Sequence, residues 1–342
     1  MIFTRYLYEK SYVEYSLFLA LLKQNTHEAL FWAFELYFSG FQEDAFALIW
    51  KYYYSMYAAF HVRLEKFLLR KTHKWLENTD DYSIFGSIVI TLASKQPCID
   101  IYYMMHDMSS FPEFLRPWVE QMYPIDVEID DYMNSCGGLL DNFIDVHRCY
   151  ISRGKPIVGI TNDSLNLPFV NHEIVRYACI SRMFSGLFLL DKNNGFDPSF
   201  YINMSRQDCK QYLTPETVRM KAWKVPIMHC IYAQKISPEK EPLTIEAYQQ
   251  WLQYAWHSPL WRRRIHDYGG ELYEDGNIGF ASDDDADDFF DTFDLEPDEQ
   301  SKDILNKWFG EKPYVSWKQL HDEYTLDVLH WWFDNRLELC VS

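Results

Sequence analysis

Paired cysteines, a basic surplus and long uncharged apolar runs are all missing from this 342-residue chain. The seven cysteines (98, 136, 149, 179, 209, 230 and 340) form no C-x-x-C and no paired spacing. An odd, scattered set fits thiols packed as small hydrophobes in a reducing compartment. Lys and Arg number 32 against 50 Asp and Glu, a net charge of −18. That argues against direct nucleic-acid binding, which needs a basic face to release counterions. Lys51 interrupts the best candidate for a membrane span, and Glu9 and Glu14 break any basic-then-apolar signal at the N-terminus. The Asn-x-Ser sequons at Asn162 and Asn203 mean little without such a signal. The expectation is a soluble intracellular protein, not secreted and not in a membrane.

Catalytic signatures are missing too. Arg153-Gly154-Lys155-Pro156 lacks the G-x-x-x-x-G-K-[ST] frame of a phosphate loop, and no Rossmann, kinase or hydrolase motif occurs. Asp145, His147 and Cys149 resemble a nucleophile set on paper, but helical residues two apart point to opposite sides. His229-Cys230 and His106-Asp107 fail in the same way, and no His pair at i, i+4 has a carboxylate to complete a metal site. The expectation is therefore a non-enzyme with no catalytic residue, no cofactor and no metal ligand. One alternative is a divalent-metal-dependent enzyme using Asp126, Glu128, Asp130 and Asp131. As a calcium loop of the EF-hand type that run fails, since Asp131 and Gly137 stand where Gly and Glu are required.

What the chain does have is apolar mass: 48% hydrophobic and 18% aromatic residues, enough to exclude a largely disordered chain and to fill a substantial core. Ser11 to Tyr57 reads as three short helices. Ser11 and Glu14 make a capping-box pair, Thr26 is the next N-cap with Glu28 in the first turn, and Gly40 suits a left-handed C-terminal cap. The middle helix is polar only at His27, Glu28 and Glu35, so it should be buried on most sides. His61 to Glu77 continues the pattern with a solvated basic face of Arg63, Lys66, Arg70, Lys71 and Lys74. Asp80 or Asp81 caps the next helix, although Ile88-Val89-Ile90-Thr91 also permits a buried strand. Cys98 to Met108 and Leu139 to Tyr150 read as further helices, and short β-tending pieces lie at Ile157–Ile160 and Met228–Tyr232. Helical spacing returns from Leu243 through Trp256, with Thr244 as the cap. A short helix runs from Pro259 to Asp267 and ends at Gly269-Gly270, and Lys302–Phe309 and Trp317–Trp332 close the chain. The fold expected is mainly α, an irregular helical-hairpin or repeat array with a less regular, partly β middle. Its regions are 1–125 (helical hairpins), 126–240 (mixed), 241–282 (helical), 283–300 (acidic and flexible) and 301–342 (C-terminal helices).

Two stretches point to protein partners. Asp283 to Glu299 holds ten acidic residues and no basic one, with Phe289, Phe290, Phe293 and Leu295 embedded in it. Such acidic-aromatic segments dock into partner grooves, and equally serve as solubilising loops. Tyr12, Leu17 and Phe18 fit Y-x-x-x-x-L-Φ, by which scaffolds of cap-dependent translation initiation hold the cap-binding protein. The same Leu17 and Phe18 are wanted for core packing.

The runs YLYEKSYVEYSLFLALL, EALFWAFELYFSGF and IWKYYYSMY, with YQQWLQYAWHSPLWRRRIHDYGG near the C-terminus, resemble a family of uncharacterised proteins of large nucleocytoplasmic DNA viruses (giant viruses). The resemblance is one of texture and local sequence and brings no functional motif. It implies a viral setting, in host cytoplasm or the virion. Because such viruses encode parts of their own translation machinery, it also adds weight to the Y-x-x-x-x-L-Φ match. The function expected is a non-enzymatic scaffold or interaction protein of a viral intracellular assembly. Its alternative is a translation-initiation scaffold binding a cap-binding protein through Tyr12, Leu17 and Phe18.

Overall fold

The computed structural model describes residues 2–99, 101–102, 166–171, 173–174, 177–178, 181, 200–213 and 251–293. Among these the protein is mainly α-helical, with one short antiparallel pair of strands. The chain forms two compact units. The first comprises Met1–Ile49, Lys71–Gln96 and Phe200–Asp322, the second Trp50–Arg70, Pro97–Ser199 and Glu323–Ser342.

In the first unit, α1 (Lys10–Leu22) packs on α2 (Thr26–Phe38), and α2 packs on α5 (Tyr82–Ala93). Between them in sequence lie α3 (Gln42–Tyr52) and α4 (Leu64–Glu77). The caps differ in detail from expectation. The N-cap of α1 is Glu9, and Ser11 bonds to the Glu9 carboxylate (3.0 Å) instead of closing a box with Glu14. The N-cap of α2 is Asn25, one residue before Thr26, because the Asn25 carboxamide reaches the Glu28 amide (3.2 Å) and satisfies an orphan donor there. Gln24, at φ 52, reverses the chain between them. Gly40 ends α2 at φ 92, as expected of a left-handed cap. It is doubly required, since a Cβ there would lie 2.7 Å from the Pro259 ring.

Asp81 caps α5 through the Ser83 amide. The β-branched run Ile88–Thr91 is helical, because Ile84, Phe85, Ile88, Val89 and Leu92 bury one helical face and tertiary packing overrides strand propensity. Its mid-helix hydroxyls serve a neighbour. Met204 donates its amide to Ser87 Oγ (2.9 Å) and Ile202 donates to Thr91 Oγ1 (3.0 Å), which pins the extended segment ahead of α6 (Arg206–Cys209) along α5. Gly86 permits this approach, since a Cβ there would lie 2.9 Å from the Phe34 ring and 3.1 Å from Met204 Sδ. Phe46 stacks on Trp75 (centroids 4.1 Å apart), and Trp75 Nε1 donates to Tyr37 OH (2.9 Å), which donates to Thr79 O (2.8 Å). Further along are α7 (Trp251–Ala255), α8 (Pro259–Asp267), the hairpin β1 (Glu271–Leu272) and β2 (Ile278–Gly279), and α9 (Asp283–Phe293). The bounds of α8 coincide with expectation, with Gly269 at φ 74 following it.

In the second unit, Tyr53–Tyr57 is a π-helical turn, closed by the Ala58 amide on the Tyr53 carbonyl five residues back (2.8 Å). All five of its residues are buried, and Cys98 N–H donates to Met56 O (2.8 Å). Tyr54 OH donates to Glu65 (2.9 Å), Lys51 pairs with Glu173 (2.7 Å), and Tyr102 stacks on Tyr177. Of the basic face expected over His61 to Glu77, Arg63, Lys66, Arg70 and Lys74 are exposed and Lys71 is half-buried, so it is a solvated face. The helices expected at 139–150, 302–309 and 317–332, the β pieces at 157–160 and 228–232, the Thr244 cap, and residues 103–108 of the helix expected from Cys98 lie outside the described residues.

Candidate functional site

The unusual chemistry of the first unit is an internal charge cluster beneath the N-terminal loop. Phe3 to Tyr8 is a loop buried throughout, with every residue at 3% exposure or less. Buried loops are rare because their backbone polar groups need partners. Here Thr4 N–H donates to Tyr8 O (2.8 Å) and Leu7 N–H to Thr4 O (2.9 Å), with Leu7 held at φ 59. Trp261 of α8 donates its indole N–H to Thr4 O (2.9 Å).

That loop carries Arg5 into the core, where Glu35 of α2 meets it. Arg5 Nε donates to Glu35 Oε2 (2.7 Å), and the two side chains are 1% and 0% exposed. Arg5 Nη1 donates to Tyr212 O (2.9 Å) and the Arg5 amide to Ser39 Oγ (2.7 Å), while the Tyr6 amide occupies Glu35 Oε1 (3.0 Å). A buried ion pair survives only when its remaining donors and acceptors are so occupied. The Arg5 guanidinium also lies over the rings of Tyr6 (4.6 Å) and Phe38 (5.1 Å).

A second guanidinium feels the charges of this pair. Arg264 lies one turn along α8 from Trp261 and packs over its ring (4.7 Å) and over Phe293 of α9 (4.6 Å). Its Nη1 is buried and has no hydrogen-bond partner among the described residues, and neither has the hydroxyl of Tyr6, which is 1% exposed. Burial, with the neighbouring charges of Arg5 and Arg263, pulls Arg264 down to about 10. Burial pushes the Tyr6 phenol up to about 12, with the charges of Arg5, Glu35 and Arg264 all felt there. At neutral pH Arg264 is therefore cationic and Tyr6 keeps its proton.

The acidic segment is seated on the same structure. Residues 283–293 are helical: Asp283, Asp284 and Asp285 stand in the first turn, where the helix dipole favours them, and Asp285 N–H donates to Ser282 Oγ (3.2 Å). Phe289 and Phe293 are buried against Trp251, Trp261 and Tyr268, with Phe280 also on Phe289. Phe290 is half-buried beside Phe280. The two buried rings dock within their own chain and are not free for a partner groove, because i, i+4 spacing puts both on the inner side of α9. Asp283, Asp284, Asp287, Asp288 and Asp291 stay exposed.

Leu17 and Phe18, at 0% and 1% exposure, belong to the core, which corrects the reading of Y-x-x-x-x-L-Φ as a partner grip. Tyr12 alone of that motif is half-buried. Leu295 and the carboxylates Asp126, Glu128, Asp130 and Asp131 lie outside the described residues. Among the described residues no three His, Cys, Asp or Glu side chains are grouped to hold a metal ion, and no helix is long and apolar enough to cross a membrane. The Arg5–Glu35 pair was missed by sequence reasoning, though Glu35, the one carboxylate beyond the first turn of an otherwise apolar helix, was its signal, since a buried acid requires a cation.

No protein-family profile matches this chain, and no curated protein or solved structure does either.

Proposed function

We propose that the protein is a non-enzymatic interaction or scaffold protein whose partner-facing element in the first unit is the outer side of α9, acting within an intracellular viral assembly. The observation that carries the reading is the seating of Phe289 and Phe293 on Trp251, Trp261 and Tyr268, which fixes a row of exposed carboxylates on an anchored helix. A fixed acidic face steers a basic partner surface and sets its register, at less ordering cost than a mobile acidic tail. Exposed Leu272 (43%) and Tyr273 (53%) on the hairpin just before α9 add apolar contact area. The viral setting rests on the local resemblance of residues 6–22, 28–41, 49–57 and 248–270.

The test is the full chain carrying D287N, D288N and D291N, compared with wild type by cross-linking and mass spectrometry in the cells that produce it. The reading expects one set of basic partners lost both in the variant and at about 0.5 M salt, where the Debye length falls to a few ångströms. An unchanged set in the variant would overturn it.

A further inference from the structure

We infer that the partner of the α9 acidic face is a second copy of this chain, which meets it with the basic face of α8. The inference rests on the reading of α9 as the partner-facing element and names its partner.

The sequence places both faces. In α8, Leu260, Trp261 and Ile265 are buried, which leaves Arg262, Arg263 and His266 exposed. In α9, Phe289 and Phe293 are buried, which leaves Asp287, Asp288 and Asp291 exposed. Both triplets have the spacing i, i+1, i+4. Helical residues three and four apart are neighbours, about 5–6 Å between Cβ atoms, so each triplet is one compact patch. The two patches thus share a layout and carry complementary groups, two guanidinium groups and an imidazole against three carboxylates. A guanidinium fork takes a carboxylate in two parallel bonds, and an imidazole N–H takes one.

Neither patch is satisfied within one copy. The two helices pack together through Trp261 on Phe293 (5.5 Å) and on Phe289 (6.4 Å), and Tyr268 OH donates to Thr292 Oγ1 (2.9 Å). These contacts use the inner sides, and no member of either triplet forms an ion pair among the described residues. Other surface cations of the same unit do find acids, as Lys10 pairs with Asp44 (2.5 Å) and Arg206 with Asp81 (3.4 Å). Arg262 is held in place by its Nε, which donates to Trp256 O (3.1 Å), and by the Trp256 ring (5.9 Å), so its two NH2 groups remain for a partner. Asp267, exposed beside His266, is the one acid of α8 and bounds the patch.

A basic surface therefore need not come from a basic protein. Copies of net charge −18 repel at long range, but at physiological salt the Debye length is about 8 Å, so distant charges are screened while charges in contact still attract. Exposed Leu272 (43%) and Tyr273 (53%), on the hairpin that joins the two helices, supply the apolar area an interface needs. Two different surfaces meet, so the contact is heterologous and, repeated from copy to copy, closes a ring or extends a chain.

The test is sedimentation of the full chain over a range of concentrations at about 0.15 M and about 0.5 M salt. Wild type should form dimers or larger species at the lower salt and dissociate at the higher. D287N/D288N/D291N and R262Q/R263Q should each weaken association at least about tenfold. Mixed in equal amounts, the two variants should form a heterodimer and nothing larger, because the first keeps only the basic face and the second only the acidic one. Recovery on mixing also shows that both variants are folded. A wild type that stays monomeric overturns the inference whatever the variants do. So does association that either variant leaves unchanged, or a mixture that stays monomeric. A monomeric wild type whose α9 still cross-links a different protein removes this inference alone; loss of every α9-dependent cross-link removes the reading of α9 with it.

Discussion

Replacing Glu35 by Gln probes the buried pair with minimal change of shape. Glu35 and Arg5 are 0% and 1% exposed, so water cannot take the place of the lost charge. The amide can still accept from the Tyr6 backbone, but its NH2 then confronts Arg5 Nε, a donor facing a donor. Arg5 is left as a buried cation with no anion paired to it. An attraction at about 4 Å is worth about 4 kcal/mol at an effective dielectric of 20, and removing one partner of a buried pair costs about 3–5 kcal/mol. Because the chain has two units, a single global transition is not assumed, and the measurement is native-state hydrogen exchange of the α2 amides. Exchange should accelerate at least about a hundredfold, since about 1.4 kcal/mol is a factor of ten. The double variant R5M/E35M should cost less than the sum of the single variants by about 2 kcal/mol or more, because no charge is stranded. It should still fall short of wild type, since Tyr212 O and the Tyr6 amide each lose a partner, about 1–3 kcal/mol apiece. An E35Q acceleration below about fivefold, or additive single effects, would refute the reasoning.

Four further outcomes follow from the same structure. F289A should cost about 3–5 kcal/mol, the range for a buried Phe, and should turn residues 283–293 into a protease-sensitive segment by limited proteolysis. G40A should destabilise by more than about 1 kcal/mol by thermal melting, since the position combines φ 92 with a Cβ contact of 2.7 Å to Pro259. Burial at Asp81 works against ionisation, but its hydrogen bonds from Ser83 and Arg206 outweigh it and hold the carboxyl below the ordinary 3.8. The α5 cap is therefore fully present above about pH 4 and is lost as pH falls through the folded value. D81A should remove that acid sensitivity from the first-turn amides of α5, and should itself cost about 1 kcal/mol. Cys209 is buried, and desolvation with the nearby Asp208 and Asp81 carboxylates pushes its thiol up to about 12, so iodoacetamide at pH 8 should leave it unmodified until the unit unfolds.

Helix existence was legible from periodicity, and best where local chemistry agreed with tertiary need. The cap at Asp80 or Asp81, which falls on Asp81, Gly40 as a left-handed terminator and the span Pro259–Asp267 were legible because the signal lies within a few residues. Caps failed where two polar residues competed, as Asn25 and Thr26 did, since either side chain reaches the same orphan amides. The buried loop Phe3–Tyr8 was illegible because no period marks it. Its place is set by Trp261 and Glu35, hundreds and tens of residues away. The acidic segment misled through composition: its carboxylates suggested a solvated run, while Phe289 and Phe293 at i, i+4 already described one face of an amphipathic helix. Leu17 and Phe18 show the reverse error, a short motif met by residues that the core had already claimed.

The anchored acidic face of α9 is the element on which the functional proposal stands. Site-specific photo-cross-linking tests it most directly, with a benzophenone amino acid placed in turn at Asp287, Asp288 and Asp291, and at exposed Lys74 of α4 as the control. The account predicts that the three α9 positions yield the same cross-linked protein, that its formation falls at about 0.5 M salt as screened charge attraction requires, and that Lys74 does not yield it. Cross-linking at α9 no greater than at Lys74, or equally strong in high salt, would contradict it.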